Sequence, residues 1–87
     1  MRKIINGKLY NTNTAIFIAE WDNGLNFTDF NYKSEELYVT KKGNYFFQYE
    51  YWDCYELFAI TDSEAAEWLE EHGFVEEYEE YFGAEEA

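Results

Sequence analysis

Cys54 and His72 are the only thiol and the only imidazole in the chain, and they are the first residues to test for chemistry. A nucleophilic thiol needs a base within hydrogen-bond reach and a third group to orient that base. Nothing in the spacing supplies this arrangement. His72 falls at the end of an expected helix, where an imidazole is ordinarily favourable, and a lone cysteine more often serves as a small apolar filler. One histidine and one cysteine cannot complete a structural zinc set. The acids follow no D-x-[DN]-x-[DN]-G calcium loop, and Asp22-Asn23-Gly24 reads as a turn. No G-x-x-x-x-G-K-[ST] or G-x-G-x-x-G phosphate cradle occurs among the five glycines. The expectation is a protein that is not an enzyme and uses no metal or cofactor.

Carboxylates are what remains. Nineteen acids oppose six basic residues among 87, for a net charge of −13. Residues 1–42 hold all six basic groups and only Glu20, Asp22, Asp29, Glu35 and Glu36 as acids, whereas residues 43–87 hold fourteen acids and no lysine or arginine. Solubility asks for a charge magnitude of only about 2–8 in a small domain. Like charges at i,i+4, as in Glu67–Glu71 and Glu76–Glu80, cost a helix about 0.2–0.5 kcal/mol per pair. Stability alone does not choose such a pattern. Glu64, Glu67 and Glu71 recur at i, i+3, i+7, which sets carboxylates about 5–10 Å apart along one helix at 1.5 Å rise per residue. A row of that kind approximates the charge pattern of one nucleic-acid strand. The candidate contact residues are therefore Glu64, Glu67, Glu70, Glu71, Glu76, Glu77, Glu79 and Glu80, with Glu50, Asp53 and Glu56 extending the face from the sheet. They would act as phosphate surrogates for lysine and arginine on a partner.

The same charge disfavours direct nucleic-acid binding, because the summed field repels polyanions. Aromatic residues form 23% of the chain, which separates it from acidic disordered tails and calls for a packed core. Most of Tyr45, Phe47, Tyr49, Phe58 and Trp68 are expected in that core rather than as base-stacking platforms, which also need a basic groove. No apolar run reaches the roughly 18–20 residues of a membrane span, and the Met1-Arg2-Lys3 start leads into no signal-peptide core. A single cysteine fits a reducing cytosol.

The elements that must position these groups follow from turn signals and periodicity. Asn6-Gly7 suits a type I′ hairpin turn between Ile4-Ile5 and Leu9-Tyr10, because both residues tolerate positive φ. Ala15–Trp21 is β-rich, with Phe17, Ala19 and Trp21 on one face and Ile16 and Ile18 on the other, as in a central strand or one covered by a helix. Asn26–Ser34 reads as an irregular aromatic loop. Glu36–Lys41 turns through Lys42-Gly43 into Asn44–Trp52, where Tyr45, Phe47, Tyr49 and Tyr51 alternate with Phe46, Gln48, Glu50 and Trp52. Tyr55–Ile60 supplies a further strand. Thr61-Asp62-Ser63-Glu64 matches a capping box, and Ala65, Trp68 and Leu69 form the stripe of an amphipathic helix. Gly73 is placed to end that helix in a Schellman motif with Phe74 against Leu69. A shorter helix follows, with Phe74, Val75, Tyr78, Tyr81 and Phe82 inward. The expected fold is a single α+β domain over 1–87: an antiparallel sheet of about four or five strands with one or two acidic C-terminal helices packed on it. Residues 1–60 are mainly β, 61–83 helical and 84–87 an acidic tail.

The runs KIINGKLYNTNTA, AEWDNG, LYVTKKGNYFF and ITDSEAAEWLEEHG, with the acidic end, resemble a family of small acidic proteins of phages and other mobile elements. The shared form is K-I-x-N-G-K-x-Y-N-T-x-T-A … L-Y-x-T-K-K-G-x-Y-F … E-A-x-x-W-L-E-E-H and spans most of the chain. Members of that family can carry a longer segment before the helix, which Tyr51–Glu56 bridges compactly here. The resemblance implies an inhibitor of host defence in the cytoplasm of a bacterial cell, of the anti-CRISPR kind. It would bind a Cas effector, or another nucleic-acid-binding defence protein, and block target-DNA engagement as a DNA mimic. The alternative expectation is a non-enzymatic structural or regulatory mobile-element protein that works through aromatic or strand-edge contacts, including as a homodimer.

Overall fold

A computed structural model describes residues 1–52 and 54–87. The chain runs β1 (Arg2–Ile5), β2 (Lys8–Asn11), β3 (Ile16–Asp22), β4 (Lys33–Val39), β5 (Tyr45–Tyr51), β6 (Cys54–Ala59), α1 (Asp62–Glu71) and α2 (Val75–Tyr81). It is a small α+β domain with two antiparallel sheets, a β1–β2 hairpin and a four-stranded meander in the order β3-β4-β5-β6. The expected single sheet of four or five strands is therefore corrected to two sheets. The hairpin closes on itself because Asn6 and Gly7 take φ of 52° and 78°, and its strands then pair only with each other.

The meander is apolar on both faces, and each face is covered differently. On one face Leu37, Val39 and Tyr45 pack with Ala65, Trp68 and Leu69 of α1, and Phe74, Tyr78, Tyr81 and Phe82 close over the same cluster. On the other, Phe46 and Leu57 meet Tyr10 of the hairpin, with the Tyr10 and Phe46 rings edge-on at 5.3 Å. The hairpin is short and covers only part of its face.

Strict alternation fails once. A bulge between Phe17 and Ala19 turns Ile18 and Ala19 into the same helix-side cluster, while Phe17 faces Tyr38 on the hairpin side at 5.6 Å. An extra residue in one strand of a pair resets which side chains point inward, and no pattern of residue types announces it. The strand order makes β3 an edge strand rather than a central one, covered by helices on one side as the other of the two expectations has it. Of the five aromatics expected mostly in the core, Phe58, on the edge strand β6, is exposed; the inward placement of Val75 is corrected, since it is exposed at the start of α2.

α1 begins and ends as the sequence chemistry requires. The Thr61 hydroxyl accepts the Glu64 N–H at 3.1 Å, and the Thr61 N–H donates to Glu64 Oε1 at 3.0 Å. At the other end Gly73, at φ 72°, lets the Phe74 N–H reach the Leu69 carbonyl at 2.9 Å and its own N–H reach Glu70 at 3.2 Å. These are the two bonds of a Schellman motif. Phe74 then stacks on Trp68 at 5.3 Å, which fixes where α2 starts.

Candidate functional site: two acidic surfaces and a lysine cleft

The helical acids are a by-product of what α1 and α2 bury. With Ala65, Trp68 and Leu69 inward, Glu64, Glu67, Glu70 and Glu71 are left exposed, as are Glu76, Glu79 and Glu80 on α2, with Glu77 half-buried. Neither helix carries a basic residue in its last turn to offset them. Glu67 and Glu71 keep the spacing of the expected stripe. Glu64 is committed on one oxygen to the cap. Glu70 leans to the other flank, where it shares a cleft of about 330 Å³ with Tyr78 and Glu79.

The sheet acids do not join that surface as one face. Residues directly opposite on paired strands point to the same side, and Glu50 is opposite Tyr55 while Glu56 is opposite Tyr49. Glu56 therefore stands on the helix side, where it accepts the Tyr51 hydroxyl at 3.3 Å. Its negative charge, together with burial, pushes the Tyr51 phenol up. Glu50 stands on the hairpin side. The expectation that both extend one face is corrected, and Asp53, the third residue of that group, lies outside the described residues.

Sequence reasoning missed the surface that Glu50 does join. On the hairpin side of the meander two rungs run from β3 toward β6, Glu20–Glu36–Gln48–Leu57, whose last residue lies under the hairpin, and Asp22–Ser34–Glu50–Tyr55. Four of these eight residues are acids, and three of the four come from the nearly neutral first half of the chain. Glu20 and Glu36 are directly opposite, an arrangement that destabilises a sheet. Burial holds the Glu20 carboxyl above its usual value, and the charges of Glu36, Asp22 and Glu50 add to the effect. Glu36 is compensated: it accepts the Tyr38 hydroxyl at 2.9 Å and the Gln48 amide at 3.4 Å. Burial, reinforced by that bond and by the Glu36 charge, pushes the Tyr38 phenol up to about 12. Glu50 accepts the Ser34 hydroxyl at 3.4 Å. The available signal was the alternation of Glu20, Asp22, Glu36 and Glu50 with apolar neighbours, which becomes an acidic face only once the strand order is known.

Glu35, on the helix side of β4, has a structural use: it accepts the Trp68 indole N–H at 3.2 Å and ties α1 to the sheet. Among the described residues no group of three or more histidine, cysteine or acidic side chains is placed to hold a metal ion. His72 donates its Nδ1 proton to the Trp68 carbonyl at 2.8 Å, since a carbonyl can only accept. Its ring lies among Trp21, Trp68 and Phe74. Cys54 is exposed at the start of β6, and no hydrogen bond joins it to His72.

The basic residues gather elsewhere. Lys8 of the hairpin and Lys41 and Lys42 of the β4–β5 turn line a cleft of about 480 Å³ with Asn11, Thr40 and Asn44, and no acid contributes to it. No helix among the described residues is long and apolar enough to cross a membrane. Comparison of the chain with protein-family models, curated proteins and solved structures returns no match.

Proposed function

We propose that the protein is a host-defence inhibitor of the anti-CRISPR kind, which occupies a basic nucleic-acid groove on a Cas effector and blocks target-DNA engagement. The observation that carries this reading is the uncompensated acidic surface of α1 and α2: Glu67, Glu71, Glu76, Glu79 and Glu80 are exposed with no basic residue in either helix's last turn. Such a surface costs stability through repulsion between neighbours and opposition to the helix dipole. A cationic groove repays both. Electrostatic steering speeds such an encounter and makes it salt-sensitive. The protein would act inside the bacterial cell without catalysis, cofactor or direct contact with nucleic acid. The test is target cleavage by a panel of Cas effectors with the wild type and with a Glu67→Lys, Glu71→Lys double variant whose circular dichroism is unchanged. The double variant is expected to lose inhibition. A folded double variant that still inhibits would sink the acidic-helix reading.

A second reading has its own observation. Both edge strands of the meander present apolar groups, Ile16 and Phe17 on β3 and Tyr55 and Phe58 on β6, and unpaired edges invite pairing with another chain. This favours a structural or regulatory role through strand-edge contacts, with a homodimer as its simplest form. Light scattering that gives twice the mass of 10.5 kDa would support it, and a monomer at high concentration would remove it.

A further inference from the structure

We infer that the cleft on the hairpin side of the sheet, between the β3–β4 loop and Trp52, receives the guanidinium of an arginine side chain from a partner protein. The inference rests on the reading that the partner is rich in basic side chains, and it names one that this chain grips on the side of the sheet opposite α1 and α2.

The cleft has a volume of about 360 Å³ and is lined by Phe27, Thr28, Glu50, Trp52 and Tyr55. Phe27 and Trp52 are 73% and 56% exposed, and Phe30 and Tyr55 beside them are exposed as well. Exposed apolar side chains gathered in one place mark interaction sites, whereas scattered ones need no explanation. These are gathered around a carboxylate, and that combination selects the occupant. Aromatic faces attract a cation through the ring quadrupole, and arginine also stacks flat against them. The Glu50 carboxylate can accept from a planar fork of N–H donors. Charge complementarity points the same way, since Glu50 stands in the acidic rung with Asp22 and adjoins the rung of Glu20 and Glu36.

The backbone that carries these side chains is tied down before anything binds. Phe30 lies against Trp52 at 4.8 Å and props its ring. The loop that carries Phe27 is pinned by its own polar side chains: Asn26 Oδ1 accepts the Thr28 N–H at 3.0 Å, Asp29 Oδ1 accepts the Asn31 N–H at 2.8 Å, and the Asn23 amide donates to the Asn31 carbonyl at 2.8 Å. The Trp52 N–H donates to the Tyr32 carbonyl at 3.3 Å, which ties the turn to the loop. Trp52 holds φ at 50°, a conformation a bulky side chain rarely adopts. Strained residues held by their surroundings collect at binding sites. A pocket ordered in advance loses less freedom on binding.

The probe is a capped Gly-Arg-Gly peptide, titrated into the full-length protein and followed through the indole N–H resonances, with capped Gly-Lys-Gly and tetramethylammonium as controls. The expected result is saturable shifts confined to the Trp52 indole, with the lysine peptide and tetramethylammonium weaker. Phe27→Ala and Trp52→Ala should each weaken the arginine peptide by about 2- to 30-fold, the range of one cation–π contact. Glu50→Gln should weaken it as well. Phe27→Ala keeps the test valid if the strained turn does not tolerate loss of Trp52. Absence of Trp52 shifts, an equal response to lysine, tighter binding of tetramethylammonium, or indifference to Phe27→Ala would each overturn the inference. Failure of the parent reading looks different: the peptide would still bind while no Cas effector is inhibited.

Discussion

On the helix-covered side of the meander, carboxylates ride on the outer surfaces of α1 and α2, each pointing into water with no basic neighbour along its helix. On the opposite side Glu20, Glu36 and Glu50 stand on adjacent strands, Glu20 exposed, Glu36 and Glu50 half-buried and bonded to Tyr38, Gln48 and Ser34, and the charges of Glu36 and Glu50 act on Glu20. Both surfaces are acidic, and their physics differs. Helix acids are separated by helical rise and screened by solvent, so they cost little and remain free for a partner. Sheet acids are forced together by strand pairing, so part of their charge acts on the fold itself, while Glu50 also lines a cleft open to a partner. The two surfaces therefore present their charge differently, though composition counts them alike.

The largest effects should come from cutting either cover away from the sheet. Phe46→Ala should cost about 3–5 kcal/mol and Leu69→Ala about 2–5 kcal/mol, because both side chains are fully buried on opposite faces. Urea unfolding checks both, and hydrogen exchange sharpens the comparison. Phe46→Ala should first expose the amides of the hairpin, and Leu69→Ala those of α2. The cap comes next. Thr61→Ala removes the hydroxyl that accepts the Glu64 N–H, and it should cost about 1 kcal/mol in the same unfolding measurement.

A pH series separates the two acidic surfaces. Glu20 holds its proton more tightly in the folded state than its ordinary value of 4.5. The stability it contributes is thus present below 4.5 and lost as pH rises through its higher folded value. The melting temperature should fall from just above pH 4.5 toward neutrality, and Glu20→Gln should flatten that fall. An unchanged slope in the variant would place the pH response elsewhere. The smallest effect belongs to the helix. Glu71→Gln removes the i,i+4 repulsion with Glu67 and should stabilise the protein by about 0.2–0.5 kcal/mol.

Local chemistry was legible in the sequence, and long-range placement was not. Asn6-Gly7, the Thr61–Glu64 box and the Gly73 stop each act within a few residues, so residue type determined them. The two faces of β5 were equally readable from alternation. The bulge at Ile18, the separation of the hairpin as its own sheet, and the edge position of β3 depend on contacts between distant strands. For the same reason the stripe of Glu67 and Glu71 was visible as a helical period, while the cluster of Glu20, Asp22, Glu36 and Glu50 was hidden across three strands. The division of charge between the two halves of the chain concealed it further, because the half that looked neutral supplies most of that cluster.

The most direct measurement is competition between this protein and target DNA for guide-loaded Cas effectors, read by fluorescence anisotropy of the DNA at several salt concentrations. The wild type should displace DNA from at least one effector, with affinity falling steeply as salt rises, and Glu67→Lys with Glu71→Lys should abolish displacement. Displacement that is indifferent to salt and to that charge reversal, or no displacement from any effector, would contradict the account.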